Sequence, residues 1–155
     1  MYLVDLPKRK LGRTGLSVTA LGFGALELRG MIAGVGRELK PRQPEHEDTI
    51  AAAARAGMGI VIRGGVAKGP PGKGHGSAAL WDLWDKAELD ELLDGEHPTE
   101  FMLRFTLTNP DIHTTVVGTL DPEHLLENIA SVVRGPLPAS LCSEAKRRLV
   151  GAQAA

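Results

Sequence analysis

Polar and apolar positions alternate briefly on either side of Gly12 and Gly15, so Arg9–Val18 reads as a small hairpin with its turn between the two glycines. Val18–Gly24 then reads as a buried strand ending in Gly22-Phe23-Gly24, where a strand-end glycine lets a ligand approach the backbone closely. From 29 to 45, Gly30, Gly34, Gly36, Pro41 and Pro44 interrupt any long element, which predicts a loop. A helix is expected from about Glu45 to Ala56, with Ile50, Ala53, Ala54 and Gly57 on one face and Gly57 as its cap. Gly59-Ile60-Val61-Ile62 is wholly apolar and β-branched, the pattern of a strand buried on both faces of a parallel sheet. A glycine-rich basic loop, Arg63–Gly76, follows it, and Trp81–Leu93 is expected to be helical in parts, with Trp81 and Trp84 in the core.

Further along, the spacing of Met102, Leu103, Phe105 and Leu107 predicts a helix over Thr99–Thr108, ended by Asn109-Pro110. Thr114–Val117 reads as a buried strand closed by Gly118. Asp121 caps the next helix with Pro122 at its first position, and Leu125, Leu126, Ile129, Val132 and Val133 are its expected buried stripe. After Gly135-Pro136-Leu137-Pro138 a last amphipathic helix is predicted to about Val150, with Leu141, Ala145 and Leu149 a turn apart and Ala152–Ala155 frayed.

Strands alternating with helices imply an α/β fold with a parallel sheet. The 155 residues suffice for a single domain, and 43% hydrophobic with 24% charged residues is a globular composition. Eighteen basic against nineteen acidic residues leave a net charge of -1, which gives no support to nucleic acid or an anionic membrane as partner. The lone cysteine, Cys142, cannot form an internal disulfide and reads as a packing residue. No apolar run reaches the roughly 18 residues of a membrane span, and Met1–Lys8 does not read as a secretory leader, so a cytoplasmic location is expected.

Two stretches are more specific. Leu11-Gly12-Arg13-Thr14-Gly15-Leu16-Ser17-Val18 followed by Leu21-Gly22-Phe23-Gly24 is similar to the opening hairpin and first barrel strand of aldo/keto reductases. Val116-Val117-Gly118-Thr119-Leu120-Asp121-Pro122-Glu123-His124-Leu125-Leu126-Glu127-Asn128 resembles a late strand and helix of that family, which uses them to hold the adenosine 2'-phosphate of NADPH. Between them, Gly59–Gly65 looks like the sixth strand and its pyrophosphate loop. The resemblance covers residues 8–30 and 48–148. It implies part of a (β/α)8 barrel, a fold of typically ~250 residues. The first, sixth and seventh strands are found, with a short eighth near Ser131–Arg134. The second to fifth are missing, with the join between Leu39 and Asp48. The expected architecture is a half-barrel in the order six, seven, eight, one, completed by a second copy in a homodimer.

The same resemblance names a cofactor, NADP(H), and its contacts. Gly24 would lie at the end of the first strand; Arg63, Gly64, Gly65 and Lys68 would meet the pyrophosphate. Gly118, Thr119, His124, Glu127 and Asn128 would meet the adenosine end, where the family often has arginine or glutamine at the place of His124. As plain residues, the same positions read as a helix cap, a solvated helix face and a flexible loop. The aromatic residue that many members carry near Ile62 is absent. So is the catalytic set: the family's proton-donating tyrosine, with its aspartate, lysine and histidine, belongs to the missing strands, and the only tyrosine here is Tyr2. No catalytic residue is therefore assigned. Gly72–Gly76 lacks the spacing of a phosphate-binding Walker loop. His46, His75, His97, His113 and His124 are scattered without metal-site spacing and read as surface residues. Three functions stand side by side: a cofactor-holding protein without carbonyl reductase activity, a self-associating half-barrel, and an enzyme using unfamiliar groups such as Glu27, Lys68 or His75.

Overall fold

The computed structural model describes residues 5–23, 44–63 and 78–154. The chain enters through the expected hairpin. Strand β1 (Lys8–Lys10) pairs antiparallel with β2 (Ser17–Thr19), with Arg9 opposite Val18. The connection is a 3-10 turn at Gly12–Thr14, and Gly15 after it has the left-handed φ of 78° that glycine tolerates. The single strand expected over Val18–Gly24 is instead two. After Thr19 the chain changes partners: the Ala20 amide donates to Pro7 O (2.8 Å), while its carbonyl accepts from the Thr115 amide (3.1 Å). Leu21–Phe23, β3, then runs in a different sheet.

That sheet has three parallel strands. Helix α1 (Pro44–Arg55) precedes β4 (Val61–Arg63), and β5 (Thr114–Val117) lies in the middle, in the order β3-β5-β4. Thr115 pairs with both Leu21 and Ile62. Side chains alternate across a strand. Leu21, Ile62 and Val117, with Ile60, therefore turn to one face, where they pack with Ile50 of α1, Ile112 and the helices that follow. Val61 turns to the other face and is 50% exposed, so β4 is not buried on both faces as its apolar run suggests. The run reads as doubly buried because nothing local records which face the described helices cover.

A second core is built from helices. Trp81 and Trp84 of α2 (Ala78–Lys86) pack with Leu89 of the 3-10 turn Leu89–Leu92. Phe101 and Phe105 of α3 (Pro98–Thr108) and Ala145 and Leu149 of α5 (Ala139–Ala154) complete it. Trp84 meets Phe101 edge-on, centroids 5.7 Å apart, and its Nε1–H donates to Asp90 (2.8 Å). Cys142 is buried in this cluster, as a packing residue should be. Leu103 and Leu107 of α3 belong to the sheet core, so α3 serves both clusters and every residue from Phe101 to Leu107 is buried. α5 runs past Val150 to Ala154 because Ala152 still packs on the helical cluster.

Helix α4 (Pro122–Arg134) starts where expected, with Asp121 as cap and Pro122 in the first turn. Its buried side is narrower than expected. Ser131 and Val132 are buried and Leu125 and Ile129 half-buried, but Leu126 and Val133 are exposed. Leu126 sits one residue, about 100°, round the helix from Leu125, beyond the reach of the sheet. Ser131–Arg134 are the last turn of α4 and not an eighth strand; β3 pairs directly with β5. Among the described residues the order is β3-β5-β4, three strands where the expected half-barrel has four. No described helix is long and apolar enough to cross a membrane.

Candidate functional site

Parallel strands bring their C-terminal ends to one edge. Arg63 pairs with Val116, and Phe23 with Val117, so the ends of β3, β4 and β5 lie side by side and lead into the turn before α4. Arg63 is exposed there, Gly118 is exposed and Thr119 half-buried. His124, Glu127 and Asn128 follow at i, i+3, i+4 spacing on the first turns of α4, with His124 and Glu127 exposed and Asn128 half-buried. Six of the ten expected contact residues are thus placed at or beside this edge. Gly24, Gly64, Gly65 and Lys68 lie outside the described residues, as do Tyr2, Glu27 and His75.

The turn before α4 holds itself together. The Thr119 hydroxyl oxygen accepts from the Asp121 amide (3.0 Å). The Asp121 carboxylate accepts from the Glu123 amide (2.8 Å), the helix-start donor that an incoming anion would seek. His124 Nε2 is 3.8 Å from the other Asp121 oxygen. Arg63, exposed at the strand ends, has the charge that a pyrophosphate would need. The start of α4 suits a 2'-phosphate poorly, because its Glu123 amide is taken by a carboxylate of the same sign.

Three polar residues have roles that the sequence did not disclose. Arg9, half-buried behind the hairpin, donates to Leu107 O (2.9 Å), Asn109 O (3.4 Å) and Ile112 O, gathering the carbonyls at the end of α3. Burial pulls its guanidinium below the ordinary arginine value. His113 is half-buried rather than on the surface: its Nδ1 accepts from the Ile60 amide (3.0 Å), while its own amide donates to Ile60 O (3.1 Å). Arg104 is buried against Glu96, with its Nε donating to Gly135 O (2.8 Å). The only advance signal for any of these was a charged residue set among apolar ones, as Arg104 is within Met102–Leu107. Among the described residues no group of His, Cys, Asp and Glu could hold a metal.

Comparisons with known proteins bear on the fold. No protein-family model and no curated protein matches the chain. It is similar to the solved structures of aldo-keto reductase AKR11C1 from Bacillus halodurans, in the apo form (TM-score 0.52, 21% identity) and the holo form (TM-score 0.53, 22% identity). The fold is that of part of an aldo-keto reductase. The likeness covers 72% of this chain but only 39% and 40% of those chains, so the chain spans about two fifths of the length of these aldo-keto reductase structures.

Proposed function

We propose that the chain binds a nicotinamide dinucleotide across the C-terminal edge of its parallel sheet and does not by itself reduce carbonyls. The observation that carries this reading is the strand register, which sets Arg63 beside β5 and its following turn. Ligands of open parallel sheets sit at such an edge. Arg63 would neutralise the pyrophosphate, while Gly118, Thr119, His124, Glu127 and Asn128 would flank the adenosine end. Gly24, Gly64, Gly65 and Lys68 complete the set by resemblance. The bound cofactor supplies a hydride. A carbonyl acceptor also needs a proton donor within about 2.6–3.2 Å, and the described residues contain no tyrosine to serve. Calorimetric titration with NADH and with NADPH is expected to show micromolar saturation for at least one. Arg63→Glu should weaken it about ten-fold or more, as expected for reversing a charge that faces a diphosphate. No saturation below millimolar with either dinucleotide would sink the reading.

A second reading is self-association. Among the described residues β3 and β4 are both edge strands of the three-stranded sheet, and Val61 is exposed on the face turned away from the described helices. Unpaired edges are templates for another chain. Two copies would bring six described strands, short of an eight-stranded closure but enough for pairing along one edge. Light scattering at micromolar concentration is expected to give a dimer mass; a monomer would rule this reading out.

A further inference from the structure

We infer that the adenosine end of this site takes an unphosphorylated ribose, so that the cofactor class is NAD(H) rather than NADP(H). The inference rests on the dinucleotide reading above and departs from the 2'-phosphate that the sequence resemblance implies.

Two of the groups that would greet a 2'-phosphate, the Glu123 amide and the Thr119 hydroxyl, are turned onto the chain itself. The first helical residue, Pro122, has no amide hydrogen to offer. The next amide, that of Glu123, donates to the Asp121 carboxylate at 2.8 Å. The Thr119 hydroxyl, expected to donate to the phosphate, accepts from the Asp121 amide and lies 3.4 Å from Asp121 O. An anion that took either of these groups would have to displace the cap of α4.

Charge points the same way. From Gly118 to Asn128 the chain carries Asp121, Glu123 and Glu127 and no lysine or arginine. All three acids are exposed, Asp121 and Glu123 at the start of the helix and Glu127 a turn further on. The one basic side chain of the stretch, His124, already lies 3.8 Å from Asp121. A phosphate monoester would add as much as two further negative charges to this group, and like charges a few ångströms apart repel by an amount that favours the uncharged alternative. A ribose 2'-hydroxyl has the opposite preference. It donates, and a carboxylate accepts; an acidic side chain near the ribose is what sites for the unphosphorylated cofactor offer.

The test is the ratio of two dissociation constants, measured by calorimetry on the wild-type chain and on Asp121→Asn and Glu127→Gln variants. Asparagine keeps the capping oxygen, so the first variant removes charge without removing the cap. The wild type should bind NADH about ten-fold or more tightly than NADPH. Each variant should move the ratio toward NADPH by about three- to ten-fold, the effect of removing one nearby like charge. Equal affinities, tighter NADPH binding, or a ratio unmoved by both variants would overturn the inference and leave the dinucleotide site standing. If neither dinucleotide saturates, the site reading fails and the inference falls with it.

Discussion

Gly12 and Gly15 look interchangeable in the sequence, two turn glycines in one hairpin, yet their surroundings differ. Gly12 has a φ of 52°, and a Cβ there would stand 2.6 Å from Gly57 O, Gly59 N and Met58 C, all backbone atoms. Gly15 has a φ of 78° with nothing within 4 Å. Gly15→Ala should therefore cost only the left-handed strain, about 1–2 kcal/mol. Gly12→Ala adds overpacking of about 1–3 kcal/mol, so urea denaturation should rank it clearly lower. Arg9→Ala should cost about 1–3 kcal/mol, because it strips a donor from buried carbonyls at the end of α3. The pH dependence has a residue of its own. Arg147 and Arg148 donate to Glu144 and hold its carboxyl below its ordinary value of 4.5, at about 2. A carboxyl depressed on folding adds stability above its unfolded value and loses it as pH falls through the folded one. The melting temperature of Glu144→Gln should thus lie below that of the wild type near neutral pH, and the gap should close between about pH 4.5 and 2. A gap that persists unchanged to the acid side would refute the assignment.

At the scale of elements, local chemistry was the reliable guide. The Asp121-Pro122 start of α4, the Asn109-Pro110 end of α3 and the bounds of β5 are all set by caps, prolines and glycines within a few residues, and all are found where the sequence puts them. What failed was any judgement about which face another element covers. Ile60, Val61 and Ile62 are alike as letters, but only the isoleucines meet α1 and α3. Ile62→Ala is expected to cost about 2–5 kcal/mol and Val61→Thr no more than about 0.5 kcal/mol, measured by chemical denaturation. Comparable losses would mean that both faces of β4 are covered. The candidate site shows the same division. The sequence named Thr119 and His124, but their engagement with Asp121 depends on the fold of the turn and reverses what the stretch offers to an anion. The expected eighth strand failed for a related reason: Ser131-Val132-Val133-Arg134 has a strand's composition but continues the periodicity of a helix already capped at Asp121.

Among the described residues two cores are joined through one buried helix. Phe101, Met102 and Phe105 face the tryptophan cluster while Leu103 and Leu107 face the sheet, so neither core can loosen without disturbing α3. Unfolding followed by tryptophan emission, which reports the helical core, and by far-ultraviolet circular dichroism, which reports the whole backbone, should give coincident transitions. Separate midpoints would show that the halves are independent. This joint was not visible beforehand, because the spacing of Met102, Leu103, Phe105 and Leu107 reads equally well as one face on a single core. The strand order has a further consequence, in time rather than space. β5 lies between β3 and β4, yet it is the last of the three to leave the ribosome. Among the described residues, the first two strands have β5 as their only neighbour in that sheet, and each must wait for a stretch of chain about 50 to 90 residues further on. A sheet whose keystone arrives last closes slowly and leaves its strands open to wrong partners in the meantime. Yield on expression should therefore depend on temperature and on chaperone supply more steeply than the stability of the finished fold would suggest.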